Sequence, residues 1–286
     1  MTSADAVEGV RATGPDGTVE IRATLVVGCD GRHSLVREKA GLAVEELGAP
    51  MDVFWFRLGR AAADPGETKL VFAGGHILIL LDRGEYWQIA YVIAKGSADE
   101  VRGRGLAALR EEIGRVVPFL RERAAELADW EQIKLLSVRV DRLKRWHRPG
   151  LLCIGDAAHA MSPIGGVGVN LAVQDAVAAA NILSEPLRTG PVDASLLQRV
   201  QQRREFPARL TQRVQVLIQN RVISSVLGRD DKVSPPLPFR LIKMFPFLQR
   251  LPARLIGLGV RPEHIASSDR SARVTQARRP DAQPKS

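Results

Sequence analysis

The 286-residue chain has only two cysteines, Cys29 and Cys153. Two thiols cannot build a disulfide framework, and neither has a metal-ligand partner at useful spacing, so no metal site is expected. Both lie near glycine at strand ends, which reads as small buried thiols in a reducing, cytoplasmic setting. Aromatic residues are scarce, at 5%. They are not interleaved with basic residues in the way that stacks bases, so no nucleic-acid partner is expected. Long apolar runs are missing as well. Stretches such as Ile77–Leu81 are far too short to span a bilayer, and no integral membrane segment is expected. The opening Met1-Thr-Ser-Ala-Asp lacks the basic start and apolar core of a signal peptide.

What remains is ordinary globular material, 45% hydrophobic and 26% charged, long enough for one or two domains. The net charge of +9 is uneven. Residues 186–286 carry 19 Lys and Arg against 7 Asp and Glu, a net +12, and the rest of the chain carries −3. A solvated helix face accounts for such a basic segment; an anionic partner or membrane surface would also suit it.

In chain order, Val7–Ala12 and Thr18–Ala23 alternate around a Pro-Asp-Gly turn and read as a β-hairpin. Leu25–Gly28 reads as a buried strand. Asp30 and Ser34 follow it and can cap a short helix. Met51–Arg60, Lys69–Phe72, His76–Leu81 and Tyr86–Ile93 read as an antiparallel sheet. Trp55, Phe56, Arg57, His76, Tyr86, Trp87 and Tyr91 lie on it. Aromatics at alternate strand positions pack a core more often than they line a pocket. Val101–Val117 has helical spacing, Pro118 ends it, and Phe119–Ala128 resumes as a second helix. Ile133–Leu143 reads as one strand. Ser195–Leu227 reads as a long helix kinked at Pro207, with arginine on one side and Leu, Val and Ile on the other. Leu237–Val260 reads as a helical cap or a segment resting on a membrane surface, and a disordered tail is expected from about Ala266.

The chain is organised around Leu151–Leu183. Leu151–Ile154 is a buried strand, and Gly155 and Asp156 stand at its carboxyl end, where open α/β sheets bind ligands. Gly165, Gly166 and Gly168 leave the backbone open to a flat or anionic group. A helix from Asn170 onward would turn its unpaired N–H groups toward that group. By itself this is a strand, a turn and a helix. His159 on the intervening loop suits a cap or packing role.

The order of residues adds more. Gly155, Asp156, Ala157, Ala158, His159, Pro163, Gly165, Gly168, Asn170, Asp175 and Ala176 resemble the second FAD-binding signature of the aromatic-ring hydroxylase family of flavoprotein monooxygenases. Asp30, Gly31, Ser34, Val36 and Arg37 are similar to a second motif of that family, near the FAD pyrophosphate and linked to nicotinamide cofactor use. The resemblance covers most of residues 7–265. It implies the α/β class (α+β overall): a truncated Rossmann-like FAD-binding domain, an inserted antiparallel-sheet substrate domain and a C-terminal helical segment. The expected divisions are 1–47 and 137–190 for the FAD-binding domain, 48–136 for the sheet domain, 191–265 for the helices and 266–286 for the tail.

The resemblance implies cofactor-binding residues Asp30, Gly31, Gly155, Asp156, Pro163, Gly165, Gly166, Gly168, Val169 and Asn170. Asp156 would accept hydroxyls of the FAD ribityl chain, and Pro163 would lie beside the ring and substrate. The glycines, Val169 and Asn170 would present N–H groups to the pyrimidine edge. The implied reaction is hydroxylation of a small organic substrate, aromatic compounds included, with NAD(P)H and dioxygen through a flavin hydroperoxide. No dedicated catalytic side chain is indicated. The family's opening Gly-x-Gly-x-x-Gly is not in this chain, which reads as a fragment beginning at the hairpin. A reductase or dehydrogenase of the isoprenoid-reductase type shares both motifs, and a non-catalytic remnant is a third possibility.

Overall fold

A computed structural model of the chain describes residues 1, 6–73, 75–223, 254 and 257–266. Most of the expected 237–260 cap and all of the tail beyond Ala266 lie outside the described residues.

Strands β1 (Gly9–Gly14) and β2 (Gly17–Arg22) form the expected hairpin around Pro15-Asp16. Strand β3 (Val26–Gly28) leads into helix α1 (Leu35–Lys39), and β4 (Val44–Glu46) follows. The next strands are β5 (Met51–Gly59), β6 (Lys69–Ala73), β7 (His76–Asp82) and β8 (Tyr86–Ala94). The expected single helix at 101–117 is two, α2 (Ala98–Gly103) and α3 (Leu106–Val116). The break falls at Gly105, whose φ of 87° is left-handed and cannot continue a right-handed helix. The expected helix at 119–128 is instead a pair of 3₁₀ turns, Pro118–Leu120 and Arg123–Glu126. Arg123 there binds buried Asp64 and the Phe119 carbonyl, so tertiary contacts hold the chain off the α-helical path.

The expected strand at 133–143 also divides. Strand β9 (Lys134–Leu136) joins one sheet and β10 (Asp141–Leu143) pairs with β4. Buried Asp52 pins the crossing by accepting bonds from Val138 N (2.9 Å), Gly96 N (2.9 Å) and Lys95 Nζ (2.8 Å). Burial alone would raise the Asp52 pKa, but these donors hold it below the ordinary carboxylate value.

Antiparallel order β6-β7-β8-β5-β9 makes a five-stranded sheet. Side-chain alternation splits its residues between two cores. Phe54, Phe56, Leu58, Trp87, Ile89 and Tyr91 pack under α2 and α3 with Leu109 and Ile113. Val53, Trp55, Ile77, Ile79, Ala90 and Val92 face the other way, toward Val138, Val140, Ile164 and Val216.

Strands β11 (His147–Arg148) and β12 (Leu151–Cys153) complete a small sheet of order β11-β12-β3. Helices α4 (Asp156–His159), α5 (Gly168–Leu183), α6 (Pro186–Thr189) and α7 (Ala194–Ile218) follow. Helix α7 runs through Pro207 and ends in a π-helical turn at Gln219–Ile223. Its inner face is not the aliphatic stripe expected. Alongside Leu197, Val200 and Ala208 it buries Gln201, Arg204, Gln212 and Gln215. Among the described residues one stretch, Ile164–Leu183, is long and apolar enough to cross a membrane by length and composition alone, longer than the apolar runs read from the sequence. It includes α5, which packs on α7 and carries the buried Asp175.

Candidate flavin site

Strands β3 and β12 are parallel neighbours in the register Cys153↔Gly28. Their carboxyl ends therefore point the same way, and the loops that leave them meet. Gly28 suits this closeness, since a Cβ there would sit 3.1 Å from Cys153 Sγ and Val36 Cγ1, tighter than ordinary contact. Beyond β3, Asp30 accepts bonds from Ser34 Oγ and Val36 N (3.0 Å), and Ser34 Oγ accepts from Arg37 N (3.0 Å). Burial pushes the Asp30 pKa up, yet these bonds bring it below its ordinary value. Ser34 is thus the N-cap of α1, and Asp30 supports it by also taking the Val36 N–H, with Gly31 beside it in the left-handed region at φ 82°.

After β12, Gly155 has φ 59°, and a Cβ there would lie 3.1 Å from the Ala172 Cβ on α5. Asp156 opens α4 with its carboxylate 30% exposed and 3.3 Å from Arg32 Nη2. A Cβ on Gly168 would lie 3.8 Å from Asp156 Oδ1, so the start of α5 adjoins that carboxylate. Pro163 is half-buried. Gly165 and Gly166 follow it at φ 77° and 63°, conformations that favour glycine.

Helix α5 begins at Gly168, two residues earlier than expected, and Val167 before it supplies no side-chain cap. The N–H groups of Gly168 and Val169, at the first turn, precede the regular intrahelical ladder. Val169 is exposed. The Asn170 side chain donates to Gly257 O (3.4 Å), and that of Gln174 to Leu258 O (3.0 Å).

Two residues that anchor these loops had no role assigned from sequence. Arg37 is buried and makes a bidentate pair with Asp141 (3.0 and 3.0 Å), and it also donates to Arg32 O (2.7 Å) and Ala157 O (3.3 Å). It thereby joins both loops to β10. Its place in the Asp-Gly-x-x-Ser-x-Val-Arg string was the available signal. Arg204, exposed 0%, reaches Asp175 Oδ1 at 3.0 Å. No local pattern marks it.

Asp175 is the hub behind the loop. Its second oxygen receives Gly155 N (3.0 Å) and lies 2.6 Å from His159 Nε2. His159 is buried, with its ring 4.8 Å from that of Trp146. Burial lowers the His159 pKa, but the Asp175 charge and hydrogen bond outweigh it and leave it raised. Burial raises that of Asp175, and His159, Gly155 and Arg204 leave it lowered.

The signs fix the pH window. Stability from the raised histidine is complete below its ordinary 6.5 and is lost as pH rises through the folded value. Stability from the lowered aspartate is complete above 3.8 and is lost as pH falls through its folded value. The difference in unfolding free energy between wild type and His159→Gln is therefore expected to peak between those values and shrink toward alkaline pH. Urea titrations at a mildly acidic and an alkaline pH measure it, and an unchanged difference contradicts the charged pair.

On the facing sheet, alternation separates the residues singled out earlier. Phe56, Trp87 and Tyr91 belong to the helix-covered core. Tyr91 Oη donates to Glu112 (2.7 Å) and lies 2.7 Å from His76 Nδ1. Trp55 lies on the opposite face with Ile164 of the glycine loop. Arg57 stacks over the Tyr86 ring at 4.8 Å.

The chain is 36% identical over 237 residues to 6-methylpretetramide 4-monooxygenase of Streptomyces rimosus, covering 82% of this chain and 55% of that protein. It is 29% identical over 208 residues to digeranylgeranylglycerophospholipid reductase 2 of Methanothermobacter thermautotrophicus, covering 69% and 50%. The fold matches Pseudomonas aeruginosa PqsL in complex with 2-aminobenzoylacetate at a TM-score of 0.61 and 25% identity, covering 78% of this chain and 60% of that one. The chain thus spans about half the length of the curated relatives. Residues 2–214 match the family model described as FAD binding domain. On that match the chain belongs to the FAD binding domain family, among the aromatic-ring hydroxylase-like flavoprotein monooxygenases.

Proposed function

We propose that this chain forms the flavin-ring end of the FAD site of a monooxygenase that hydroxylates a small organic substrate with NAD(P)H and dioxygen. The observation that supports it is the junction of the two motif loops, with Asp156 beside both Arg32 (3.3 Å) and the start of α5. The residues suit the group. Left-handed glycines at 165 and 166 leave a surface free of side chains, and an uncapped helix start favours negative charge. Asp156 would take ribityl hydroxyls, and Asp30 and Gly31 would lie near the pyrophosphate. Gly155 would hold the turn. Pro163 would border the ring, and N–H groups of Gly165, Gly166, Gly168, Val169 and Asn170 would meet its pyrimidine edge. Bound FAD would supply the transfer of electrons from NAD(P)H and of oxygen to substrate.

In this reading residues 48–136 form the substrate domain, and the sheet face bearing Trp55, Ile79 and Ala90 excludes water from the reacting centre. Aromatic compounds, the class the family resemblance implies, are the first to test. Cys153 is buried as expected, but Cys29 is exposed, contrary to the expectation of two buried thiols; a cytoplasmic location is part of this proposal.

A second reading, a reductase that acts without oxygen transfer, is favoured by the 29% identity to the glycerophospholipid reductase. The test is to load the protein with FAD, add NAD(P)H and an aromatic panel under air, and follow products by mass. A hydroxylated product supports the monooxygenase. A saturated product without added oxygen supports the reductase, and failure to bind FAD overturns both.

A further inference from the structure

A packed helix normally buries aliphatic side chains along one stripe. The second half of α7 does not. Gln212 and Gln215, and Gln219 at the start of the π-helical turn that continues it, are exposed only 0%, 4% and 1%. Their spacing of three and four puts them on one line of the helix. A buried amide is costly unless it is hydrogen-bonded, so its partners define its purpose.

The partners are main-chain carbonyls of the glycine loop and its surroundings. Gln212 Nε2 donates to Ala160 O (3.0 Å) and Asp141 O (2.8 Å). Gln215 Nε2 donates to Ser162 O (3.0 Å) and Ile164 O (2.8 Å). Gln219 Nε2 donates to Gly48 O (3.3 Å). Ala160 is extended at ψ 139°, and the carbonyls of 160, 162 and 164 all accept from α7. Pro163 lies between two of these anchors, and Gly165 and Gly166 follow directly. Ile164, held by Gln215, also packs into the core under the five-stranded sheet together with Val216 of α7.

We propose that Gln212 and Gln215 are positioning residues that set the register of the loop carrying Pro163, Gly165 and Gly166. Leucine at these places would fill the space but could slide along the loop, because dispersion has no direction. A glutamine amide carries two N–H donors, and each of these two spans a pair of carbonyls, which fixes the loop along its length as well as in depth. Glutamate would set a negative charge against those carbonyls. The consequence for cofactor binding rests on the flavin reading above; the clamp itself does not.

The test uses Gln212→Met and Gln215→Met, which keep length and remove both donors. Gln201→Met is the control: Gln201 is buried on the same helix but bonds Lys144 O (3.1 Å) and Trp146 N (3.0 Å), away from the loop. Hydrogen–deuterium exchange of residues 160–168 is expected to quicken about tenfold in the first two variants and stay unchanged in the control. In FAD-loaded protein, the visible absorption band of the bound flavin should shift in the first two and not in the control. Loop exchange equal to wild type, or raised equally by Gln201→Met, overturns the clamp. Faster exchange with an unaltered flavin band overturns its role toward the cofactor. A wild-type protein that takes up no FAD overturns the flavin reading, and the exchange comparison still decides the clamp.

Discussion

Replacing Asp175 with alanine is expected to cost about 3–5 kcal/mol of stability, the cost of leaving a buried charge without its partner. Three groups depend on this carboxylate: Arg204 Nε at 3.0 Å, His159 Nε2 at 2.6 Å and Gly155 N at 3.0 Å. Both Asp175 and Arg204 have side chains exposed 0%, so water cannot replace what is lost. His159 can shed its proton and become neutral, but the guanidinium cannot. Arg204 retains Gln174 Oε1 (3.1 Å) and Arg261 O (3.0 Å), neither of which carries charge, and a longer contact to Glu263 (3.4 Å). A fall in melting temperature of about 10 °C should accompany the loss. Denaturant titration measures it directly, and a loss below about 1 kcal/mol, the scale of an exposed pair, would sink the hub role.

Asp156→Ala should behave in the opposite way. Its pair with Arg32 is part-exposed, at 26% and 30%, so its removal should shift stability by no more than about 1 kcal/mol. FAD affinity should fall about 10- to 100-fold, because charge-assisted hydrogen bonds to ligand hydroxyls are worth about 1.5–3 kcal/mol. Titration of apoprotein with FAD, followed by flavin fluorescence, reads the effect. Asp156→Asn, which keeps one acceptor oxygen, should fall between alanine and wild type. Full flavin retention in the alanine variant would remove Asp156 from the site. The pair of variants separates the two jobs done by neighbouring carboxylates, one facing the ligand surface and one holding the turn from behind.

Much of the candidate site could be read along the chain. The left-handed turns at Gly31, Gly155, Gly165 and Gly166 follow from residue type. The cap at Asp30 and Ser34 and the Pro15-Asp16 hairpin turn are equally local. Less legible were breaks imposed from a distance. The strand expected through residue 143 divides because Asp52, 86 positions earlier, takes the Val138 N–H. The second helix after Pro118 gives way to 3₁₀ turns because Arg123 answers to Asp64, 59 positions away.

The inner face of α7 shows the same limit most clearly. From the sequence, its arginines belonged outside and its aliphatic residues inside. Arg204 is inside because Asp175 waits 29 residues upstream, and Gln215 because the Ser162 carbonyl waits 53 residues upstream.

The sequence by itself determined the main sheet strands, the glycine turns and the family. Each of those depends on sterics and hydrogen bonds within a few residues. Only the tertiary structure decided that β3 and β12 lie side by side, and so that Arg32 meets Asp156 across 124 positions. It also decided which charged and amide side chains are buried. Desolvation is set by everything packed around a group, and a carboxylate such as Asp175 becomes a hub only when the fold removes water from all its partners at once.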